Sequence, residues 1–272
     1  KRQVWVAAGT YFSREPGDSS VPVLRMKPWV DVYGGFSVDD VSLEDRDPEI
    51  DKTVLDGENR TWHVVVGADF ATLDGFVIQS GNARGSFPDN CGGGMLNYRV
   101  SPVVEDCLFT SNDASFHGAG MANIFSSAAV TGCVFRLNAA INNGAGVYND
   151  DQYGIDGHPI FKDCRFGPGN TCRFGGGMYN NWCDVTVTDC IFSDNLANHN
   201  GGALYNTSSR VTVRSCVFAT NRAYDGGAVY MNGIAGEDTT RLENCLMSGN
   251  TAYVSGGAPV SYTHLRAHET KA

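Results

Sequence analysis

Residues Gly175–Asn200 read GGGMYNNWCDVTVTDCIFSDNLANHN, and this one stretch decides the fold. Met178 and Asn180 lie two apart, so they share one face of a strand while Tyr179 takes the other. Val185-Thr186-Val187-Thr188 alternates apolar and polar, the pattern of a half-buried strand. Asp189 breaks the phase; Cys190 and Phe192 then alternate inward again, and Asn195 and a Gly-Gly pair close the unit. Three short strands and three corners fit within these 26 residues, and no helical period runs through them.

The unit recurs. Cys107, Cys133, Cys164, Cys190, Cys216 and Cys245 are spaced by 26, 31, 26, 26 and 29 residues. The commonest phrase is Cys-x-Phe-x-x-Asn, as in CLFTSN (Cys107–Asn112), CVFRLN (Cys133–Asn138) and CVFATN (Cys216–Asn221). A fixed period of this length marks a solenoid. Stacked in register, the units put like on like: the six cysteines; Phe109, Phe135, Phe166, Phe192, Phe218 and Met247; Met95, Met121, Val147, Met178, Leu204 and Val229. Asn97, Asn123, Asn149, Asn180 and Asn206 form a corner ladder able to hydrogen-bond along the stack. Asp106, Gly132, Asp163, Asp189, Ser215 and Asn244 fall at one bend and are types that accept tight or left-handed backbone. The product is all-β, a right-handed parallel β-helix with three short strands per coil. Leucine-rich repeats need a Leu-x-x-Leu-x-Leu phrase the chain lacks, and a left-handed hexapeptide helix needs multiples of six.

The organisation is one continuous solenoid. Residues 1–91 read as irregular, wider coils, with strands at Val4–Val6, Val21–Leu24, Val30–Tyr33, Thr53–Leu55 and His63–Val66 and an acidic protruding loop at Ser37–Lys52. Ala71–Ile78 matches the strand–bend–strand phrase, with Gly75 at the bend and Phe76 in the Cys slot. Residues 92–258 are the regular repeats. Residues 259–272 break the pattern; Val260–Thr270 resembles a translated sequencing adapter, so His264 and His268 carry no metal or catalytic reading. With no initiator Met, the chain reads as an internal piece of a longer gene.

Gly201-Gly-Ala-Leu204 and Gly226-Gly-Ala-Val229, alternating with Phe-x-x-Asn, resemble the repeats of the chlamydial polymorphic outer membrane proteins, and more broadly the secreted bacterial β-helix repeat proteins. The resemblance covers residues 1–258. It implies a secreted or cell-surface module associated with a bacterial outer membrane, of adhesin or passenger type, whose partners are host or environmental glycans or surface proteins.

Composition narrows the rest. A net charge of −10 argues against nucleic acid, whose binding relies on clustered Lys and Arg. No run approaches the roughly 18 apolar residues of a membrane helix. Nine cysteines suggest disulfides by number alone. Stacked cysteines on parallel strands, however, sit about 4.8 Å apart, where a bridge wants Cβ atoms at about 3.8 Å. The ladder thiols are therefore expected free, as small apolar fillers. Cys91, Cys172 and Cys183 are off the ladder, and a Cys172–Cys183 pair stays open.

Variation shows where the scaffold is decorated. From the corner Asn to the next Cys is 10 residues in four coils, but 15 from Asn149 to Cys164 and 14 from Met231 to Cys245. The first insertion carries Asp150, Asp151, Asp156 and His158; the second carries Glu237 and Asp238. Function tends to ride on loops over a stiff scaffold. Tyr148, Tyr179, Tyr205 and Tyr230 fall in the outward slot of four successive coils, an aromatic stripe that either stacks on sugars or on itself. These four tyrosines with Asp150, Asp151 and Asp156 are the candidate ligand-binding residues. His117 and His199 read as solvated corner residues, and Asp151 as a surface acid. No catalytic residue is assigned, and no spacing points to a metal or cofactor. Three functions remain: an adhesin or passenger-type structural module; a polysaccharide lyase or glycoside hydrolase, which needs paired carboxylates about 5–9.5 Å apart or a base beside a cation; and a non-catalytic glycan-binding module.

Overall fold

The structure, a computed structural model, describes residues 2–15, 17–152, 157–233, 240–256 and 260–261. Among them there is no α-helix, and every strand pairs parallel with its equivalent one coil away. The result is the expected parallel β-helix, with three sheets of nine strands each. We name the faces by their inward residues. In the type unit, Met178–Asn181 belongs to the Met face, Asp184–Thr188 to the Val face and Ile191–Ser193 to the Phe face. The register is that of the repeat: Met178 pairs with Leu204, Val187 with Val213 and Phe192 with Phe218.

The three strands expected per coil are present in all three nine-stranded sheets, and most coils add a fourth. A fourth sheet of seven strands lies between the Phe and Met faces, built from segments such as Asp113–Ala114, Leu196–Asn200 and Arg222–Asp225. Its inward column is Ala83, Ala114, Ala140, Cys172, Ala197 and Ala223, all buried. One small inward residue per strand offers no alternation to detect, so the segment reads as a corner.

Burial follows the ladders. The Phe rings of residues 109, 135, 166, 192 and 218 are fully buried and stack at 4.4–5.1 Å. Asp106, Gly132, Asp163, Asp189, Ser215 and Asn244 all hold φ between 46° and 66°, as the bend requires, and Gly75 holds 80°. The Asn97 to Asn206 ladder runs amide to amide at 2.7–2.9 Å. A second ladder, Asn112–Asn138–Asn170–Asn195–Asn221–Asn250, anchors the fourth sheet. Asn195 Nδ2 donates to Asn221 Oδ1 at 2.8 Å and to the Phe166 carbonyl one coil back at 2.9 Å. All nine cysteines are free. Cys172 packs in the small-residue core and Cys183 in the main one, so the open pair is not formed.

The early strands at Val4–Val6, Val30–Tyr33 and Thr53–Leu55 form within Arg2–Ala7, Val30–Phe36 and Thr53–Asp56. Those read at Val21–Leu24 and His63–Val66 shrink to Leu24–Arg25 and Val65–Val66, and Ile78 takes the Phe slot and Phe76 the Cys slot. Ser37–Lys52 does not simply protrude. It is strapped down over the Val face by Arg46, which donates to Asp74 at 2.6 Å and to the Gly34 carbonyl at 3.1 Å. At the far end Val260–Ser261 pairs onto Tyr230 and Met231; residues 262–272, with His264 and His268, lie outside the described residues.

Candidate functional site

The outward column of the Met face runs Leu96, Ala122, Tyr148, Tyr179, Tyr205, Tyr230 in strict register. The tyrosine rings stack: Tyr148 on Tyr179 at 5.7 Å, Tyr179 on Tyr205 at 4.8 Å, Tyr205 on Tyr230 at 5.1 Å. The expectation that they face solvent is corrected. Tyr148, Tyr205 and Tyr230 are only 4%, 6% and 7% exposed, and Tyr179 is half-buried. The cause is local. Each Gly-rich phrase enters the Met face through a left-handed glycine, and its backbone crosses over the tyrosine of its own coil. A Cβ on Gly201 (φ 69°) would lie 3.0 Å from the Tyr205 Cβ, and one on Gly226 (φ 62°) would lie 3.0 Å from that of Tyr230. Glycine is needed at these corners for both conformation and clearance. Outward from the solenoid is thus not outward to water. Burial raises the hydroxyls of Tyr148, Tyr179 and Tyr205 above the ordinary tyrosine range.

His117 joins the stack and is not solvated. Its ring lies 4.4 Å from Tyr148 and 3.8 Å from Phe116, and its buried Nδ1 has no hydrogen-bond partner. Burial brings its pKa down to about 4. Beside it, burial pushes the Cys91 thiol up to about 12, so it stays protonated and unreactive. His199 is exposed, as expected.

The acids of the first insertion are structural in their contacts. Asp150 accepts from the Tyr148 hydroxyl at 3.0 Å and from Asn181 Nδ2 at 2.8 Å; burial raises its pKa against the pull of these bonds. Asp151 is 2% exposed, not a surface acid, and its Oδ2 accepts from the Gly157 N–H at 2.8 Å, closing the base of the insertion. His158 is exposed, 3.8 Å from Asp184. Asp156, Glu237 and Asp238 lie outside the described residues. The structure therefore joins Tyr148, Tyr179, Tyr205, Tyr230 and Asp150 into one connected layer, with Asp151 at its edge. That layer holds the fourth sheet against the Met face.

Sequence reasoning passed over a different set of aromatics. At the corner between the Met and Val faces, Trp29, Phe70, Phe125 and Trp182 all hold positive φ, between 53° and 64°, and Trp29 and Phe70 are more than half exposed. The only signal in the sequence is a large aromatic where neighbouring coils carry Ser208 or Ser101.

Residues 189–207 match the family described as the Chlamydia polymorphic membrane protein repeat. The match spans the bend Asp189, the ladder residues Cys190, Phe192 and Asn195, the Gly201–Leu204 corner, and Tyr205 and Asn206. The likeness to the polymorphic membrane proteins is thus carried by the residues that build one coil and hand it to the next. No curated protein and no solved structure matches the chain. No helix among the described residues is long and apolar enough to cross a membrane, which says nothing of a β-barrel.

Proposed function

We propose that the chain is the displayed, passenger-type part of a bacterial surface protein, an adhesin-class module associated with the outer membrane that meets glycans or proteins outside the cell. The observation that carries this reading is the match of a whole bend–ladder–corner stretch to a polymorphic membrane protein repeat, in a chain whose equivalent stretches build the same coil. A stack of stiff coils suits display: each coil is pinned to its neighbours by buried amide ladders and rings, and variation is confined to corners. The glycan platform on the tyrosine column and the enzymatic reading at Asp150 and Asp151 gain no support, because those side chains are committed to internal contacts.

The test is accessibility on cells. Antibody raised against the purified chain should label intact bacteria that produce the protein, and protease added outside should remove the signal. Labelling only after permeabilisation would reject the reading.

A further inference from the structure

The Met–Val corner places an unusual set of residues in line. Trp29 and Phe70 occupy equivalent positions on consecutive coils and stack at 4.3 Å. On the next coil Arg99 lies 4.9 Å over the Phe125 ring and 5.6 Å over the Tyr98 ring. Two costs are carried here. A positive φ is unfavourable for bulky side chains; at the other corners it falls mostly to Asp, Ser, Asn and Thr, and every aromatic residue that has one, among the described residues, is at this corner. The two leading rings are also left in water, Trp29 at 57% and Phe70 at 56% exposure. Strain held at an exposed side chain does nothing for the core, and such outliers cluster at ligand sites.

The charges point to the ligand. In a chain of net charge −10, Arg99 is exposed with no carboxylate in contact among the described residues, and Lys27 is exposed two residues before Trp29. The nearby carboxylate of Asp69 is turned into the corner, where its Oδ1 accepts from the Ser101 N–H at 2.8 Å. Flat apolar rings on two coils, with Arg99 on the coil after them and Lys27 two residues before Trp29, match a sugar chain that carries acid groups: pyranose faces pack on the rings and carboxylates or sulfates meet the cations.

We infer that the corner formed by Trp29, Phe70 and Arg99 binds an anionic glycan. This deepens the surface-module reading by naming a ligand class and a place, and it rests on that reading. Cell labelling and glycan binding by purified chain fail independently, so the two stay distinguishable.

Three hexasaccharides serve as probes in calorimetric titrations of the purified chain: a galacturonate, a heparin fragment and a neutral glucan. The expected result is binding of at least one anionic probe, stronger than the neutral one and weakened by added salt; which anionic probe binds identifies carboxylate or sulfate. Arg99→Gln should remove the preference for charge. Trp29→Asn should lower affinity roughly tenfold, on the scale of a lost hot-spot aromatic. Because Asn accepts φ near 64°, the same variant should melt no lower than the parent. No binding of either anionic probe, equal binding of the neutral one, or affinity untouched by both substitutions would overturn the inference.

Discussion

Tyr205 has Tyr179 on one side at 4.8 Å, Tyr230 on the other at 5.1 Å, and the edge of Phe174 at 5.4 Å. It is a core residue on the outside of a solenoid. Tyr205→Ala should cost about 3 kcal/mol, the lower end for a buried aromatic, measured by denaturant unfolding; a loss under about 0.5 kcal/mol, as at free surface positions, would return the ring to solvent. His117 ties the same layer to pH. Its folded pKa of about 4 lies below the ordinary 6.5, so between these values the unfolded chain binds more protons. Stability from this group therefore rises as pH increases from about 4 to 6.5, is complete above that, and is lost on acidification; the shift bounds it at about 3 kcal/mol. His117→Gln should flatten the stability profile across that window relative to the parent. Parallel profiles for the two proteins would show that the imidazole is not desolvated.

Between residue and molecule stands the coil, and a buried asparagine turns it into the fourth strand. Asn138 makes that turn. Its Nδ2 donates to the Phe109 carbonyl and to Asn170 Oδ1, both at 3.1 Å, while its own Oδ1 accepts from the backbone N–H and Nδ2 of Asn112, also at 3.1 Å. Asn138→Ala would take the side-chain partner from buried polar groups of Phe109, Asn112 and Asn170 on the two flanking coils, each group left unsatisfied costing about 1–3 kcal/mol. The expected outcome is a loss of about 3 kcal/mol or more, with amide exchange accelerated at Asn112 and Ala139 ahead of the Val face. Uniform acceleration through the coil would show that the ladder does not act locally. The Ser37–Lys52 strap is held at the same scale by the Arg46–Asp74 pair, whose side chains are only 16% and 8% exposed, so removing either partner would leave the other as a largely buried, uncompensated charge.

Along the whole molecule the six ladder thiols form one buried column. Each backs onto carbonyl oxygens, such as Cys216 Sγ on Arg214 O at 3.1 Å. The bond to the Cys190 thiol, with burial behind it, pushes Cys216 up to about 12. A protonated thiol in a closed core does not react. In native protein, Cys107, Cys133, Cys164, Cys190 and Cys216 should resist alkylation, with the half-buried end rung Cys245 reacting first; in denaturant without reductant all nine cysteines should label. Fewer than nine labelled thiols, or rapid native labelling of Cys190, would refute the column.

How much of this was legible follows from how far each interaction reaches. The period of the Cys-x-Phe-x-x-Asn phrase determined the parallel β-helix, the inward Phe, Cys and Met ladders and the left-handed bend, since each is a repeat of local residue types and stacking turns repetition into register. The match at residues 189–207 falls on those same residues. The sequence could not show what lies over an outward side chain. Tyr179 and Tyr205 alternate correctly to the outside, but whether outside means water depends on where the fourth strand and its glycine corner pass, and that strand has one small inward residue where a readable alternation needs several. Asp150 and Asp151 likewise read as loop acids until Tyr148, Asn181 and the Gly157 N–H come within reach of them. The exposed Trp29–Phe70 stack is the converse: the two residues stand 41 apart in sequence and meet only because coiling sets their corners one strand spacing apart. Periodicity sets which side of the wall a residue takes; tertiary packing alone decides whether that side is wet.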